Sequence, residues 1–290
     1  MEIVRTIPWM KQTAKDALIG GRLLGLVPTM GALHEGHFSL VRKAKRKCSP
    51  VAVSIFVNPT QFGPNEDLKK YPRTFEADRA ALENLGVDIL FAPTPEEMYP
   101  AGFSTTVSVK GLSEKWEGRA RPGHFDGVAT VVLKLLEIVK PQTAFFGRKD
   151  AQQAQIIRRM AADLNLDAEI ELCPIVREFD GLALSSRNVY LKPDERQAAT
   201  IISKALAACK ESIAGGERDV VRLLALLRGK LESQPLASAD YAEIVDAETF
   251  EPVRALRGNC YALIAAKVGG TRLIDNAYIE TNTGEITVAL

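Results

Sequence analysis

Cysteine and histidine are both scarce in this chain, with four and three copies among 290 residues. The cysteines lie far apart in the sequence and form no Cys-x-x-Cys pair; they are Cys48, Cys173, Cys209 and Cys260. Neither a zinc knuckle nor a disulfide framework is therefore indicated. A reducing cytoplasm is the expected location.

Long hydrophobic runs and an excess of charge of one sign are also missing. The most apolar stretch, residues 128–139, is interrupted by Lys134 and Glu137, so we predict no membrane-spanning helix. The N-terminus lacks the apolar core of a signal peptide. Because the net charge is only +1, no basic field favours nucleic acid. We expect a protein that binds neither nucleic acid nor membranes.

What the chain does contain is an alternation of short β-rich runs with longer amphipathic stretches up to about residue 176. The predicted strands are 23–27, 51–57, 87–91, 105–109, 143–146 and 168–172. The predicted helices are 8–19, 36–48, 74–85, 123–139 and 151–164. Such alternation predicts a Rossmann-like, doubly wound α/β domain with helices on both faces of a parallel sheet.

The pattern changes in the last part of the sequence. Two predicted helices, 193–213 and 218–231, precede three β-like runs at 241–245, 260–266 and 271–279. Consecutive short strands favour a small antiparallel sheet. We therefore predict a first domain over residues 1–176 and a smaller α+β domain over residues 177–290.

Two of the three histidines lie in the segment His34-Glu35-Gly36-His37, between a predicted strand and a predicted helix. A helix start offers free backbone N–H groups and the positive end of the helix dipole, which both favour a phosphate. Two imidazoles could add hydrogen-bond donors to the same anion. A metal pair is one alternative, although it needs a third ligand and the His-Glu-x-x-His spacing is absent. Simple capping of the helix by the histidines is the other.

Three further loops carry polar side chains near predicted strand ends or the domain boundary. Asn58 and Gln61 are neutral amides that could hold a hydroxyl or a carboxylate, although the loop alone indicates only a turn. After the strand 143–146, Lys149 can act as a mobile cation for phosphate. Asp150 can accept from ribose hydroxyls or cap the following helix, or do both.

The third loop is Leu184-Ser185-Ser186-Arg187-Asn188, where two hydroxyls and a guanidinium suit a polyphosphate. Its position near the predicted domain boundary is typical of a mobile lid. Walker A, Gly-x-Gly-x-x-Gly and Gly-x-Ser-x-Gly motifs are all absent. The case for a nucleotide site therefore rests on the histidine segment.

Residues 28–37 resemble the His-x-Gly-His signature of the nucleotidylyl-transferase superfamily. Between about residues 23 and 192 the chain resembles the pantothenate synthetase (pantoate–β-alanine ligase) family, through segments 28–37, 56–63, 71–74, 121–125, 147–153 and 185–188. The resemblance implies a two-step reaction. The pantoate carboxylate attacks the α-phosphate of MgATP to give pantoyl adenylate and pyrophosphate. The β-alanine amine then attacks the acyl carbon to give pantothenate and AMP.

The resemblance also implies roles for individual residues. The catalytic residues would be His34, His37 and Lys149, with His37 as the acid that protonates the leaving group. Gln61 and Gln153 would bind pantoate, and Gln61 and Asn58 would bind β-alanine. The ATP-binding residues would be Met30, Gly31, Ala32, Leu33, His34, Glu35, Gly36, His37, Gly147, Arg148, Lys149, Asp150, Val176, Leu184, Ser185, Ser186 and Arg187. Mg²⁺ would arrive on ATP without protein ligands, and a homodimer is expected.

One position departs from the family pattern. Arg148 stands where glutamate or glutamine is expected, and we expect its side chain to face solvent. His124 begins a helix in a matching motif without an assigned role. Two other functions remain open at this point: a transferase of the same superfamily that keeps the nucleotide on its product, and a nucleotide-binding module without catalysis.

Overall fold

The computed structural model describes residues 1–64, 66–282 and 285–290, and these divide into two units. The first unit comprises Met1–Arg148 and Gln152–Cys173, and the second comprises Lys149–Ala151 and Pro174–Leu290. The predicted domain boundary between residues 176 and 177 remains a prediction. Three residues of the Lys149 loop belong to the second unit although they lie far from it in the sequence.

A parallel sheet of six strands forms the centre of the first unit. The strands are β1 (Glu2–Val4), β2 (Gly25–Thr29), β3 (Val51–Ile55), β4 (Ile89–Phe91), β5 (Thr143–Gly147) and β6 (Glu169–Cys173). Their order across the sheet is β1-β4-β3-β2-β5-β6. The chain moves outward from β2 through β3 and β4, and then resumes on the other side of β2 with β5. The topological switch point, where ligands of such sheets bind, therefore lies between β2 and β5.

Seven helices accompany this sheet in the described part of the chain. They are α1 (Ile7–Ala17), α2 (Glu35–Lys47), α3 (Phe75–Asn84), α4 (Pro95–Met98), α5 (Trp116–Ala120), α6 (His124–Val139) and α7 (Ala151–Asp163). The buried residues of α2, Leu40, Val41 and Ala44, pack against Val27 and Val53 of the strands. Alternate strand residues point to the opposite face. The predicted doubly wound α/β fold is confirmed.

Two differences from the predicted elements have simple physical reasons. The predicted strand 105–109 is wrong, because this segment is irregular and exposed at Thr105, Thr106 and Ser108. Its pattern of β-branched residues suits a strand, but the Val107 amide donates to the Thr130 hydroxyl at 2.9 Å and not to a neighbouring strand. Conversely, β1 was not predicted, since three residues are too few to show a period.

The second unit contains two helices and an antiparallel sheet of four strands. These elements are α8 (Pro193–Ala214), α9 (Val220–Glu232), β7 (Ala237–Asp246), β8 (Cys260–Val268), β9 (Thr271–Asn282) and β10 (Glu285–Ala289), with the order β10-β9-β8-β7. Alternate β8 residues, including Ala262 and Ile264, share a core with Leu206 of α8 and Leu223 of α9. The predicted α+β architecture is confirmed. No helix in the described ranges is long and apolar enough to cross a bilayer.

Candidate active site

The loop that joins β2 to α2 lies at the carboxyl end of a central strand, beside the switch point. Gly31 and Ala32 turn the chain there with φ values of +80° and +51°. Glycine suits this conformation because it lacks a Cβ. A Cβ on Gly31 would also lie only 3.1 Å from the Asp78 Oδ2 atom. The sharp turn therefore requires a small residue at position 31.

A buried carboxylate from α3 holds this loop in place. Asp78 is 3% exposed, and its Oδ2 and Oδ1 accept the amide hydrogens of Ala32 and Leu33 at 2.9 Å each. The Thr74 hydroxyl donates to Oδ1 at 3.2 Å. Sequence reasoning missed Asp78. The available signal was an acidic residue four positions before Leu82 on the buried face of a predicted helix.

The two histidines form a reciprocal cap at the start of α2. The Gly36 amide donates to Nδ1 of His34 at 3.2 Å, and the His34 amide donates to Nδ1 of His37 at 3.3 Å. The ring centroids are 4.2 Å apart. The capping alternative is therefore present in the structure. It is compatible with phosphate binding, since each ring uses only one nitrogen in the cap.

This cap also determines where the imidazole protons lie. A nitrogen that accepts a hydrogen bond cannot carry a hydrogen, so Nδ1 of each neutral ring holds a lone pair. The hydrogen of both His34 and His37 is consequently on Nε2. In the neutral rings the helix start therefore carries its imidazole hydrogens on Nε2, on the side of each ring away from the cap. For the metal alternative, residues 1–64, 66–282 and 285–290 include no group of three or more His, Cys, Asp or Glu side chains that could share an ion.

The loop after β3 is fixed by the side chain of Asn58, which is 1% exposed. Its Oδ1 accepts from the Thr60 amide at 3.3 Å and the Tyr99 hydroxyl at 2.8 Å. Its Nδ2 donates to Gln61 Oε1 and to the Gly127 carbonyl, each at 3.1 Å. Asn58 therefore uses both amide hydrogens inside the protein. A contact of this side chain with β-alanine stays a prediction and would require an exchange of one of these bonds.

Gln61 connects this loop to the histidine segment. Its Nε2 lies 3.0 Å from the Sδ atom of Met30, so two segments predicted to bind substrates meet at the ends of β2 and β3. Two consecutive glutamines, Gln152 and Gln153, occupy the start of α7. Gln152 is buried and donates to the Leu112 carbonyl at 2.8 Å, whereas Gln153 is only partly buried. The predicted pantoate ligand is thus the more accessible of the two.

Lys149 is anchored through its backbone within the second unit. Its carbonyl accepts from Nδ2 of Asn276, a buried residue of β9, at 2.8 Å. The backbone N–H of Asn276 donates to Asp275 Oδ1 at 2.8 Å. Arg177 donates to both carboxylate oxygens of Asp275, at 2.6 and 2.9 Å. The Lys149 Nζ lies 3.5 Å from Asp150 Oδ1. Sequence reasoning missed the supporting residues because they are distant in the chain.

Arg148, which the sequence led us to expect in solvent, is only partly exposed. The side chain is half-buried and its Nε atom is shielded from water. The reason is its position directly after β5, whose last residue Gly147 pairs with Cys173 at the end of β6. Burial raises the pKa of the Cys173 thiol to about 11, and the positive charge of Arg148 opposes that shift. Arg148 therefore lies in a partly packed environment.

The serine-rich loop of the second unit is tied to the segment before it. The Leu184 amide donates to the Val176 carbonyl at 3.0 Å, which brings together two residues predicted to bind ATP. Ser185 caps a short 3₁₀ turn by accepting from the Arg187 amide at 3.3 Å. Ser186 follows within this turn. The hydroxyl-rich segment thus has a defined conformation.

Replacement of Asp78 by asparagine is expected to displace the loop that precedes α2. The substitution keeps the volume but can set an amide donor against the buried amide of Ala32 or Leu33, which costs about 1–3 kcal/mol of unfolding free energy. We expect a KM for ATP raised about tenfold, to be measured by steady-state kinetics and thermal denaturation. Asp88→Asn is the matched control, since Asp88 is exposed and accepts one backbone N–H, from Val51. Equal KM effects from both variants would contradict this role for Asp78.

Comparison with known proteins assigns this geometry to a family. The family model described as pantoate-beta-alanine ligase matches residues 2–278. A pantothenate synthetase from Heliobacterium modesticaldum is 51% identical over 97% of this chain and 100% of its own. One from Acidobacterium capsulatum is 56% identical over 90% of this chain and 87% of its own.

Solved structures give the same result at the level of the fold. A pantothenate synthetase from Thermus thermophilus superimposes with a TM-score of 0.91 at 46% identity, covering 95% of this chain and 98% of its own. A pantoate-beta-alanine ligase from Francisella tularensis, complexed with beta-gamma ATP and beta-alanine, has a TM-score of 0.78 at 36% identity and covers 95% and 97%. The family predicted from the sequence motifs is confirmed: the chain belongs to the pantoate-beta-alanine ligase family.

Proposed function

We propose that this chain is an ATP-dependent ligase that condenses pantoate with β-alanine. The products would be pantothenate, AMP and pyrophosphate, with pantoyl adenylate as the intermediate. The observation that supports it most directly is the pair of histidines that cap α2 at the carboxyl end of β2. They occur in a chain that is 51% identical to a pantothenate synthetase over nearly its full length.

The chemistry of the reaction explains why such a site is needed. A carboxylate is a poor acyl donor because its oxygen is a poor leaving group, whereas AMP leaves readily from an acyl adenylate. Attack on phosphorus depends mainly on positioning and on neutralisation of charge. The Nε2–H groups of His34 and His37 and the ammonium group of Lys149 would supply the donors and the charge. His37 is the proposed proton donor to the leaving group.

The remaining ATP contacts are proposals that rest on the resemblance to the family. We propose that ATP binds residues of the histidine segment, the Lys149 loop and the serine-rich loop, namely Met30, Gly31, Ala32, Leu33, Glu35, Gly36, Gly147, Arg148, Asp150, Val176, Leu184, Ser185, Ser186 and Arg187. Asp150 is nearly half exposed and can accept from ribose hydroxyls. Mg²⁺ would enter as the MgATP complex, because this hard cation prefers oxygen ligands such as the phosphates.

The two acyl partners would be held by amide side chains. Gln61 and Gln153 would bind pantoate, and Gln61 would also contact β-alanine with Asn58 beside it. Neutral amides suit these substrates, since they can bond hydroxyl and carboxylate groups without adding charge. That the Francisella tularensis ligase was solved with β-alanine and a form of ATP supports this pairing of substrates. Family membership also supports a homodimer, and the four buried free thiols suit a reducing cytoplasm.

Exchange of labelled pyrophosphate into ATP tests the first half-reaction. We expect exchange only when pantoate is present, because pyrophosphate is released by adenylation of that carboxylate. Addition of β-alanine should then release AMP with pantothenate. Exchange without pantoate, or ADP as the product, would refute the ligase. Retention of the nucleotide on the product would indicate a transferase, and ATP binding without turnover would indicate a binding module.

A further inference from the structure

The third histidine, His124, is the first residue of α6 and is buried beside the loop that contains Asn58 and Gln61. It is 8% exposed. Its Nδ1 lies 2.8 Å from the Gln61 carbonyl oxygen, and its Nε2 lies 3.0 Å from Nη1 of Arg121. A carbonyl oxygen can only accept and a guanidinium can only donate. Nδ1 therefore carries the hydrogen and Nε2 the lone pair, which is the opposite tautomer from His34 and His37.

Arg121 is held in turn by a carboxylate. Its Nε and Nη2 donate to the two oxygens of Glu66 at 2.7 and 2.6 Å. Hydrogen bonding from Arg121 lowers the pKa of Glu66 below its ordinary value, so the carboxylate stays charged. Such a bidentate pair fixes the plane of the guanidinium. With Arg121 fixed, its Nη1–H is directed at His124, and His124 must donate to Gln61.

The first turn of α6 also packs closely against the backbone of this loop. A Cβ on Gly127 would lie 2.4 Å from the Thr60 carbonyl oxygen and 2.7 Å from the Gln61 Cα. The Gly127 carbonyl accepts from Asn58, whose amide also holds the Gln61 side chain. Gln61 is therefore fixed at two points. Its carbonyl is held by His124, with a longer bond of 3.4 Å from Nη2 of Arg121, and its side chain is held through Asn58.

We infer that His124 is a positioning residue for Gln61, and that Glu66 and Arg121 lock the tautomer that it needs for this task. The inference rests on the proposed function, in which Gln61 contacts pantoate and β-alanine. His124 would touch neither substrate. Its effect would be to keep the Gln61 peptide, and with it the side-chain amide, in a single orientation before the substrates arrive.

The surroundings of His124 keep the ring neutral at physiological pH. The charged groups that face it are Arg121, Glu66 and Glu117. Burial and then the positive charge of Arg121 lower the pKa of His124 to about 4, from 6.5. The pKa of His124 is lower in the folded chain than in the unfolded chain. The stability contributed by the buried neutral ring is therefore complete above about pH 6.5 and is lost as the pH falls toward 4. The His124–Gln61 bond is thus intact at neutral pH.

Nuclear magnetic resonance of the unaltered chain tests the tautomers directly. With three histidines, long-range correlations between ring nitrogens and carbon-bound protons should show one ring with its hydrogen on Nδ1 at pH 7. The Nδ1–H ring should disappear in His124→Asn and should titrate near pH 4 in the unaltered chain. An Nε2–H or imidazolium signal for His124 at pH 7 would overturn the inference.

Kinetics then test the positioning role. His124→Ala removes the shorter hydrogen bond to the buried Gln61 carbonyl and leaves the longer one from Nη2 of Arg121, at 3.4 Å. The KM for pantoate in pyrophosphate exchange should therefore rise about ten- to a hundredfold while the KM for ATP stays unchanged. His124→Asn should restore most of the loss, because its amide can donate from near the position of Nδ1. An unaffected alanine variant, an equal rise in both KM values, or an asparagine variant no better than alanine would each overturn the role. Absence of exchange in the unaltered chain would refute the ligase and this inference together, whereas an active unaltered chain confines any failure to His124.

Discussion

Adenylate formation should slow by about 10²–10⁴-fold when His37 is replaced by alanine, the usual range for acid–base groups and for donors to developing charge. The variant loses the Nε2–H donor of His37. It also removes the Nδ1 acceptor of the His34 amide, so the cap of α2 is weakened as well. The rate is measured as pantoate-dependent exchange of pyrophosphate into ATP.

Two variants separate the donor from the cap. His37→Gln keeps an N–H group near the position of Nε2 and should recover part of the rate, whereas His37→Asn offers an acceptor near Nδ1 and should recover stability more than rate. Arg46→Ala is the control on the same helix, since Arg46 is exposed and should leave exchange unaltered. If His37→Ala exchanged pyrophosphate at the normal rate, His37 would have to be removed from the catalytic residues.

The hydrogen bond from the His34 amide to Nδ1 of His37 distinguishes two ways in which His37 can assist the reaction. As an imidazolium acid, its Nδ1–H would face the donating amide of His34, which is an unfavourable arrangement. As a neutral ring, it donates from Nε2 without disturbing the cap. If the neutral ring is the donor, the adenylation rate should not fall when rising pH converts the imidazolium of His37 to the neutral ring. An acid predicts a fall in rate with rising pH that is absent from the His37→Gln variant.

Lys149→Met is expected to reduce adenylation by about 10²–10³-fold, because it removes the positive charge proposed to lie at the phosphates. The backbone anchor to Asn276 should remain, since it uses the Lys149 carbonyl. Thermal stability should change little, because the ion pair with Asp150 is long and partly exposed and such pairs contribute little. The measurement is the exchange rate at saturating pantoate, together with a melting curve.

A charge-conserving variant and a distant control complete this test. Lys149→Arg should recover part of the rate, since it keeps the charge but replaces a compact ammonium by a planar fork. Lys210→Met removes an exposed lysine from α8 and should leave exchange intact. Full activity in Lys149→Met would show that the charge contributes nothing to the chemistry.

The fold could be predicted well because its signals are local. Apolar spacing marked α6 and α8, and β-rich runs marked β2, β3 and β5 within a few residues of their observed bounds. The position of the histidine segment at a strand end follows from the same alternation. The error at residues 105–109 shows the limit: a pattern reports which residues suit a strand but not whether another strand lies beside them.

The supporting residues of the candidate site could not be predicted because they act across long separations. Asp78 holds amides that lie about 45 positions earlier, and His124 holds a carbonyl 63 positions earlier. Such contacts depend on which helix packs beside which loop. Only a polar residue on a helix face that should be apolar hints at them, and the partner remains unknown without the fold.

The grouping of Lys149–Ala151 with the C-terminal unit has a consequence for dissecting the chain. A fragment that stops at Cys173 would contain the histidine pair, both candidate pantoate-binding glutamines and the lysine itself. It would lack Asn276, whose side chain lies 127 positions beyond the carbonyl that it holds. Lys149 thus precedes Cys173 in the sequence, whereas the side chain that holds its carbonyl, Asn276, follows it. Recovery of activity from separated halves would therefore require complementation, with both fragments folded together.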